Sequence, residues 1–244
     1  MKAAVFYGKG DIRVDEHYPM PEVGPESVLI QVKACGVCGT DVHIYGGAQG
    51  ATECNPPVIL GHEFSGVVTQ VGSAVTRVKV GDHVTVNPNI SCDACDQCRR
   101  GNPHFCDSMA ATGVNYDGGF AEYCLVPSEW HFVESTNPDL SDDALAMVEP
   151  CTVAQHAIRK SGLTAGQNLL IFGAGPIGQM AARWGKIFGA STVVLVDVLD
   201  EKVEYARSHG NIAFNSMTTD IAAEFKKRRG YDIMPYLQYT MFKT

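Results

Sequence analysis

Two kinds of hydrophobic pattern divide the chain. Up to about residue 150 the apolar positions come in short, β-branched runs: Ala3–Tyr7, Val28–Ala34, Phe64–Val71 and Val84–Val86. Turn signals such as Val23-Gly24-Pro25 and Val80-Gly81-Asp82 separate them. Many short strands with frequent turns predict a barrel-like β domain. From about residue 165 the pattern changes. Leu169–Phe172 has the length and composition of a buried parallel strand, and after it Ile177, Met180, Ala181, Trp184, Ile187 and Phe188 recur at helical spacing. Val193–Val196 predicts a second buried strand. Asp200 caps the next helix, which turns Val203 and Ala206 inward, and Ile212–Phe214 with Ile221–Phe225 adds a further strand and helix. Alternating strand and helix is the mark of a doubly wound α/β domain. A fourth strand begins at Tyr231-Asp232-Ile233, but Pro235 lacks the donor a central strand needs, and Tyr236–Thr244 shows no strand or helix pattern. About half of a six-strand dinucleotide fold is therefore expected.

Composition narrows the classes. The 244 residues are 45% hydrophobic and 19% charged, an ordinary globular balance with length for two modest cores. A net charge of −8 and a pI near 5.4 argue against a sequence-independent grip on nucleic-acid phosphates. The one basic cluster, Lys226-Lys227-Arg228-Arg229, reads as a solvated helix face. No apolar stretch approaches the ~20 residues that span a bilayer, and Met1-Lys2-Ala3-Ala4-Val5 reads as a strand start with no signal-peptide core. The expected address is the cytoplasm.

Gly173-Ala174-Gly175-Pro176-Ile177-Gly178 is G-x-G-x-x-G. Alone the motif is weak. Here it follows a buried strand, opens an amphipathic helix, and precedes an acidic residue, Asp197, about 20 residues on at the end of the next strand. Gly173 permits the tight turn, Gly175 lets the backbone approach a pyrophosphate, and Gly178 allows close helix–strand packing. The helix N-terminus then faces the pyrophosphate with unpaired N–H groups. Asp197 is suited to accept from ribose hydroxyls and to repel a 2′-phosphate, and neither Val198 nor Leu199 offers a cation for one. The expected cofactor is NAD. The bland alternative is a βαβ unit that binds nothing.

Nine cysteines are many for a chain in a reducing compartment. Cys92, Cys95, Cys98 and Cys106 supply four closely spaced thiolates, the number and softness that tetrahedral zinc takes in a closed, structural site. An iron–sulfur cluster is the other ligand reading, although nothing else suggests electron transfer. Cys35, Cys54, Cys124 and Cys151 read as small buried apolar residues. Cys38, in Gly36-Val37-Cys38-Gly39-Thr40-Asp41-Val42-His43, has company that changes this, with His62 and Glu63 in Gly61-His62-Glu63 and Glu149 in Val148-Glu149-Pro150. A catalytic zinc wants three protein ligands and one open position. Spacing alone does not assemble these residues: His62 reads equally as a satisfied core histidine, and Glu149 as a helix-start carboxylate.

Taken in order, the Cys-Gly-Thr-Asp-x-His segment, Gly61-His62-Glu63 with Phe64-x-Gly66-x-Val68, the four-cysteine lobe, Glu149-Pro150 and the glycine fingerprint are similar to the zinc-containing medium-chain alcohol dehydrogenase family. The branch is that of the sorbitol (polyol) and threonine dehydrogenases, and the resemblance runs from residue 1 to about 233. It implies a GroES-like β-barrel catalytic domain over residues 1–153 and a partial Rossmann doubly wound parallel sheet over 154–244, an α/β plus β fold. It implies two zinc ions per chain. Cys38 and His62 would hold the catalytic ion, with Glu149 on or near it and Glu63 as a second carboxylate able to approach; Cys151 is the less favoured substitute for Glu149. Asp41 matches the carboxylate that orients the histidine, and Thr40 and His43 the path by which a released proton leaves. Thr40 and His43 read on their own as a turn pair at a strand end.

The implied activity is oxidation of a secondary alcohol or polyol, a small-molecule substrate, by hydride transfer to NAD, with homo-oligomers common in the family. Because the resemblance fades after Ile233, this chain is expected to be C-terminally truncated. An inactive zinc-binding fragment is therefore the alternative reading. A noncatalytic regulator or crystallin-like protein is a third class, against which the retained Cys38, Thr40, His43, His62 and Glu63 argue. Loss of strand 4 would leave strand 1 as an exposed apolar edge.

Overall fold

The computed structural model describes residues 1–48, 53–135, 137, 139–229 and 239–241. They fall into two compact units, Met1–Glu149 and Pro150–Thr244.

The first unit is built from β1 (Ala3–Gly8), β2 (Asp11–Asp15), β3 (Val28–Gly36), α1 (Gly39–Tyr45), β4 (Val58–Ile59), β5 (Glu63–Val71), β6 (His83–Val86), β7 (Asn89–Ile90), α2 (Asp96–Arg99), β8 (Ala110–Ala111), β9 (Tyr123–Val126), β10 (Phe132–Glu134) and α3 (Asp142–Ala146). Helix α4 (Val148–Lys160) follows. The strands form a three-stranded sheet, β2-β1-β4, and a five-stranded antiparallel sheet, β10-β6-β5-β3-β9, with β7 and β8 paired separately. Each expected strand is present, extended by a residue or two. The core of the larger sheet is β-branched and aromatic: Val28, Ile30, Phe64, Val68, Val84, Val86 and Val126 are buried together. Each such side chain contributes roughly 1.5–3 kcal/mol on burial.

One register brings distant residues together. β3 and β5 pair antiparallel, so that Cys35 faces Phe64 and Gly36, the last residue of β3, faces Glu63, the first of β5. The pairing sets side by side two segments far apart in sequence: the turn leaving β3 toward α1, and the turn entering β5.

The second unit contains β11 (Asn168–Phe172), α5 (Pro176–Ile187), β12 (Thr192–Asp197), α6 (Asp200–Ser208), β13 (Ile212–Asn215), α7 (Ile221–Arg229) and β14 (Tyr239–Met241). Its sheet has the order β13-β12-β11-β14, all parallel. Leu169, Ile171, Val193 and Leu195 pack with Ala181, Ala182, Val203 and Ala206 on one face, while Leu170, Val194, Val196 and Phe214 lie together on the other.

Three expectations need correction here. Residues 239–241 form a strand on the free side of β11, so the tail expected to lack structure supplies the fourth strand position; Leu170 pairs with Tyr239 and Phe172 with Met241. β11 is therefore not the sheet edge. The strand expected at Tyr231–Ile233 lies outside the described residues. Asp200 is not the cap of α6: Leu199 holds that position, and Asp200 is the first helical residue, where its charge complements the helix dipole. On α5, Ile187 is 70% exposed; the pattern drifts off the core face at the last turn while Ile177, Met180, Trp184 and Phe188 remain packed on it.

Candidate metal and dinucleotide sites

The β3–β5 pairing assembles the first site. Past Gly36 the chain places Cys38 as the N-cap residue of α1, and Gly61, at φ +93°, turns the chain so that His62 enters just ahead of β5. The ligand atoms of Cys38, His62 and Glu63 lie within 4.8 Å of one another. A thiolate, an imidazole and a carboxylate together suit zinc and leave a fourth position open.

Asp41 braces two of the three segments. Its Oδ2 accepts from the Cys38 N–H at 2.8 Å and its Oδ1 from the Gly61 N–H at 3.3 Å. His62 Nδ1 is buried 3.5 Å from Asp41 Oδ1, with no closer hydrogen-bond partner. With Nδ1 turned to Asp41, Nε2 is the nitrogen left for a metal, which is how an outer carboxylate fixes a histidine tautomer. Burial alone would push the His62 pKa down. The Asp41 carboxylate and the Cys38 sulfur beside it outweigh that and hold it at about 10. A cation in the site would replace that proton.

Glu149, in the first turn of α4, stands outside the trio but beside it. Burial pushes its carboxyl up, the His62 charge pulls it down, and Glu63 pushes it up again. Pro150 next to it is buried in the first helical turn, where a missing N–H costs nothing. Cys151 is engaged elsewhere: Trp184 Nε1 donates to its carbonyl at 3.1 Å and lies 3.3 Å from its Sγ. Thr40 is half-buried in the first turn of α1 and His43 exposed in the last, three residues apart on one side of the helix.

The second site is the cysteine lobe. The sulfurs of Cys92, Cys95, Cys98 and Cys106 all lie within 4.8 Å of one another, and all four thiols are free. Asp93 takes a left-handed backbone (φ 53°) to bring the first pair round. Backbone N–H groups already point at sulfur: Cys92 N to Cys106 at 3.2 Å, Cys95 N to Cys92 at 3.3 Å and Ser108 N to Cys106 at 3.4 Å. N–H bonds from Ala94 and Cys95 lower the Cys92 pKa, and those from Asp107 and Cys98 lower that of Cys95 to about 7. Cys98 goes the other way, to about 12, through desolvation and its sulfur neighbours Cys95 and Cys106. Four sulfurs this close cannot all be anionic without a cation, so the lobe fits a tetrahedral metal.

The third site is the glycine turn between β11 and α5. Gly173 has φ +102°, a conformation closed to other residues at low cost. A Cβ on Gly178 would stand 1.9 Å from the Gly173 carbonyl, which only glycine avoids. A Cβ on Gly175 would meet no atom within 4 Å, so the turn faces open space where a ligand backbone could approach. Asp197, at the end of β12, is buried. Its Oδ2 accepts from the Ala174 N–H at 2.8 Å, and its Oδ1 from Val198 and Leu199 at 2.8 and 3.1 Å. Burial pushes its carboxyl up, but those three N–H groups win and hold it below the ordinary value. Oδ2, which accepts only one of the three, keeps a lone pair for a ribose hydroxyl. The arrangement fits a dinucleotide.

Sequence reasoning missed two contributors. Gly36 makes room for Glu63, and Gln179 bonds the glycine turn through Nε2 to the Ala174 carbonyl at 3.1 Å. Only strand register could have found the first. The second sits one residue after the fingerprint, where a polar residue on a core-facing turn was the available signal.

Known proteins share this fold. The profile of the alcohol dehydrogenase GroES-like domain matches residues 24–136. D-xylulose reductase A of Aspergillus niger is 38% identical over 201 residues, covering 81% of this chain and 56% of that protein. The structure of 2R,3R-butanediol dehydrogenase from Bacillus subtilis is 35% identical with a TM-score of 0.83, covering 94% of this chain and 67% of that one. A Sinorhizobium meliloti 1021 structure described as a zinc-binding dehydrogenase, bound to NADP, is 37% identical with a TM-score of 0.84, covering 91% and 63%. The chain spans about half the length of the curated relatives it matches. With the barrel-type sheets, the parallel sheet and these matches in agreement, the chain belongs to the zinc-binding alcohol dehydrogenase family that carries a GroES-like domain.

Proposed function

We propose that the chain carries the catalytic machinery of a zinc-dependent oxidoreductase that oxidises a secondary alcohol or polyol by hydride transfer to NAD. The observation that carries the reading is the convergence of Cys38, His62 and Glu63 ligand atoms within 4.8 Å of one another, in a chain that also holds a glycine turn closed by a buried acid. The GroES-like domain is read as residues 1–153 and the dinucleotide domain as 154–244. One zinc belongs to the Cys38 site, with Glu63 as the carboxylate that can approach it and Glu149 on or near it, and one to the cysteine lobe.

When bound, zinc supplies a Lewis acid that makes a hydroxyl more acidic, and the nicotinamide accepts the hydride. The chain's own residues do the rest. Asp41 fixes His62 and the Cys38 turn; Thr40 takes up the substrate proton and hands it on toward exposed His43 and water. Gly173, Gly175 and Gly178 bring the head of α5 against the pyrophosphate. Asp197 favours NAD over NADP because its charge opposes a 2′-phosphate. The reading puts the enzyme in the cytoplasm, where four unpaired thiols survive reduced. Among the described residues no helix is long and apolar enough to cross a membrane.

The test is metal analysis of the purified chain together with NAD reduction across a panel of secondary alcohols and polyols. Two zincs with turnover support the reading. One zinc, bound by the lobe and lost on Cys98→Ser, would overturn the catalytic assignment.

A further inference from the structure

Ala174, at the centre of the glycine turn, is clamped through both of its backbone polar groups, which belong to the two successive peptides of the turn. The Ala174 N–H donates to Asp197 Oδ2 at 2.8 Å, while the Ala174 carbonyl accepts from Gln179 Nε2 at 3.1 Å. Gln179 is itself held. Its Oε1 accepts from Asn211 Nδ2 at 3.0 Å, and Asn211 Oδ1 accepts from Lys186 Nζ at 2.8 Å. The Asn211 backbone N–H is tied to the Ala206 carbonyl at 3.1 Å, at the end of α6. The relay thus starts from a cation on α5, crosses to the residue before β13, returns to α5 and ends on the turn.

Its direction follows from chemistry. An ammonium has three donors and no acceptor, so it must meet the oxygen of Asn211. That leaves the Asn211 amide nitrogen toward Gln179, which answers with its oxygen and so presents its own nitrogen to Ala174. Lys186 therefore sets the orientation of both amides, a choice that an isolated Gln would leave open.

The consequence falls on Gly175. The Ala174 carbonyl and the Gly175 N–H share one planar trans peptide and point in opposite directions. Holding the carbonyl toward Gln179 aims the Gly175 N–H at the opposite side. We propose that Gln179, oriented by Asn211 and Lys186, is a positioning residue that presets this peptide for the pyrophosphate before the cofactor arrives. The inference rests on the dinucleotide reading above. Preset donors lower the ordering cost of binding, so loss of the clamp appears in affinity more than in folding.

Gln179→Met keeps the length and volume of the side chain and removes both polar atoms of its amide. Its Kd for NADH, read by fluorescence titration of the full chain, is expected to rise about tenfold, the scale of one lost buried hydrogen bond. Melting temperature should shift little and zinc content should not change. Asn211→Ser, which frees Gln179 to rotate, should give a smaller rise, and the double variant should be no worse than Gln179→Met alone. If Gln179→Met does not fold, Asn211→Ser carries the test. An unchanged Kd, or a loss of stability with NADH affinity intact, would overturn the inference alone. A parent chain that binds no NADH would overturn the dinucleotide reading and this inference with it.

Discussion

Gly36 stands directly across the β3–β5 ladder from Glu63, and a Cβ at position 36 would sit 2.6 Å from Glu63 Oε2. The carboxylate occupies the space that a side chain would fill. Gly36 does not use the left-handed backbone region, and the one severe contact an alanine meets there is the movable end of Glu63, with its Cβ at 3.3 Å and its carbonyl oxygen at 3.6 Å as milder neighbours. Gly36→Ala should fold normally and displace the carboxylate. Chelator competition should then show metal held at the Cys38 site about tenfold more weakly, the usual scale for losing a group that orients a ligand set. The cysteine lobe should keep its ion. Unchanged affinity at both sites would mean that the carboxylate adds nothing to the metal set.

That relationship shows where the sequence stops being legible. The cysteine lobe can be read from spacing because its ligands are local; the glycine turn can be read because strand, turn, helix and acid follow in order. The Cys38 site has no such local logic. Cys38 and His62 meet because β3 and β5 pair in one register, and a register is a property of two distant segments. Gly36 is illegible for the same reason. β14 leaves no pattern because three residues beside a completed strand need no alternation of their own. Ile187 misleads because a helix's last turn can leave the core while the spacing persists.

The metal-free Cys38 site should be proton-loaded. Its histidine is raised from an ordinary value of 6.5 to about 10. A raised pKa stabilises the folded, metal-free chain in full below pH 6.5, and that stability is lost as pH rises through about 10. Zinc must displace the proton, so binding at this site should release protons and tighten as pH rises across neutrality. Calorimetric titration in buffers of different ionisation enthalpy counts the protons. Asp41→Asn removes the main group that raises the imidazole and should reduce the count; an identical count in the variant would show that Asp41 does not control His62.

The lobe should declare itself by thiol chemistry. Cys95, lowered to about 7, and Cys92, also lowered, are the sulfurs most anionic near neutral pH, while Cys106 and Cys124 are buried. In chelator-treated protein, iodoacetamide should label Cys95 and Cys92 first, with labelling of Cys95 rising through about pH 7. Added zinc should suppress it, because a metal-bound sulfur is a poorer nucleophile and a closed site leaves none free. Mass spectrometry of the labelled peptides decides the matter. Labelling of Cys95 that zinc leaves unchanged would rule out a metal in the lobe.

Asp197 carries two tasks, and a substitution should expose both. In the proposed NAD reading its charge opposes a 2′-phosphate, and its oxygens also hold three backbone N–H groups, one of them in the glycine turn. Asn in its place keeps one oxygen for Val198 and Leu199. It turns an amide donor toward the Ala174 N–H, setting donor against donor in a buried position. That costs ~1–3 kcal/mol in the second unit and loosens the turn that both cofactors need. Asp197→Asn should therefore weaken NADH without gaining NADPH, and its melting temperature should fall. Titration of each nucleotide reads the difference. Tight NADPH binding in the variant would mean that the charge alone sets cofactor choice, with the turn held well enough by Gln179 on its other side.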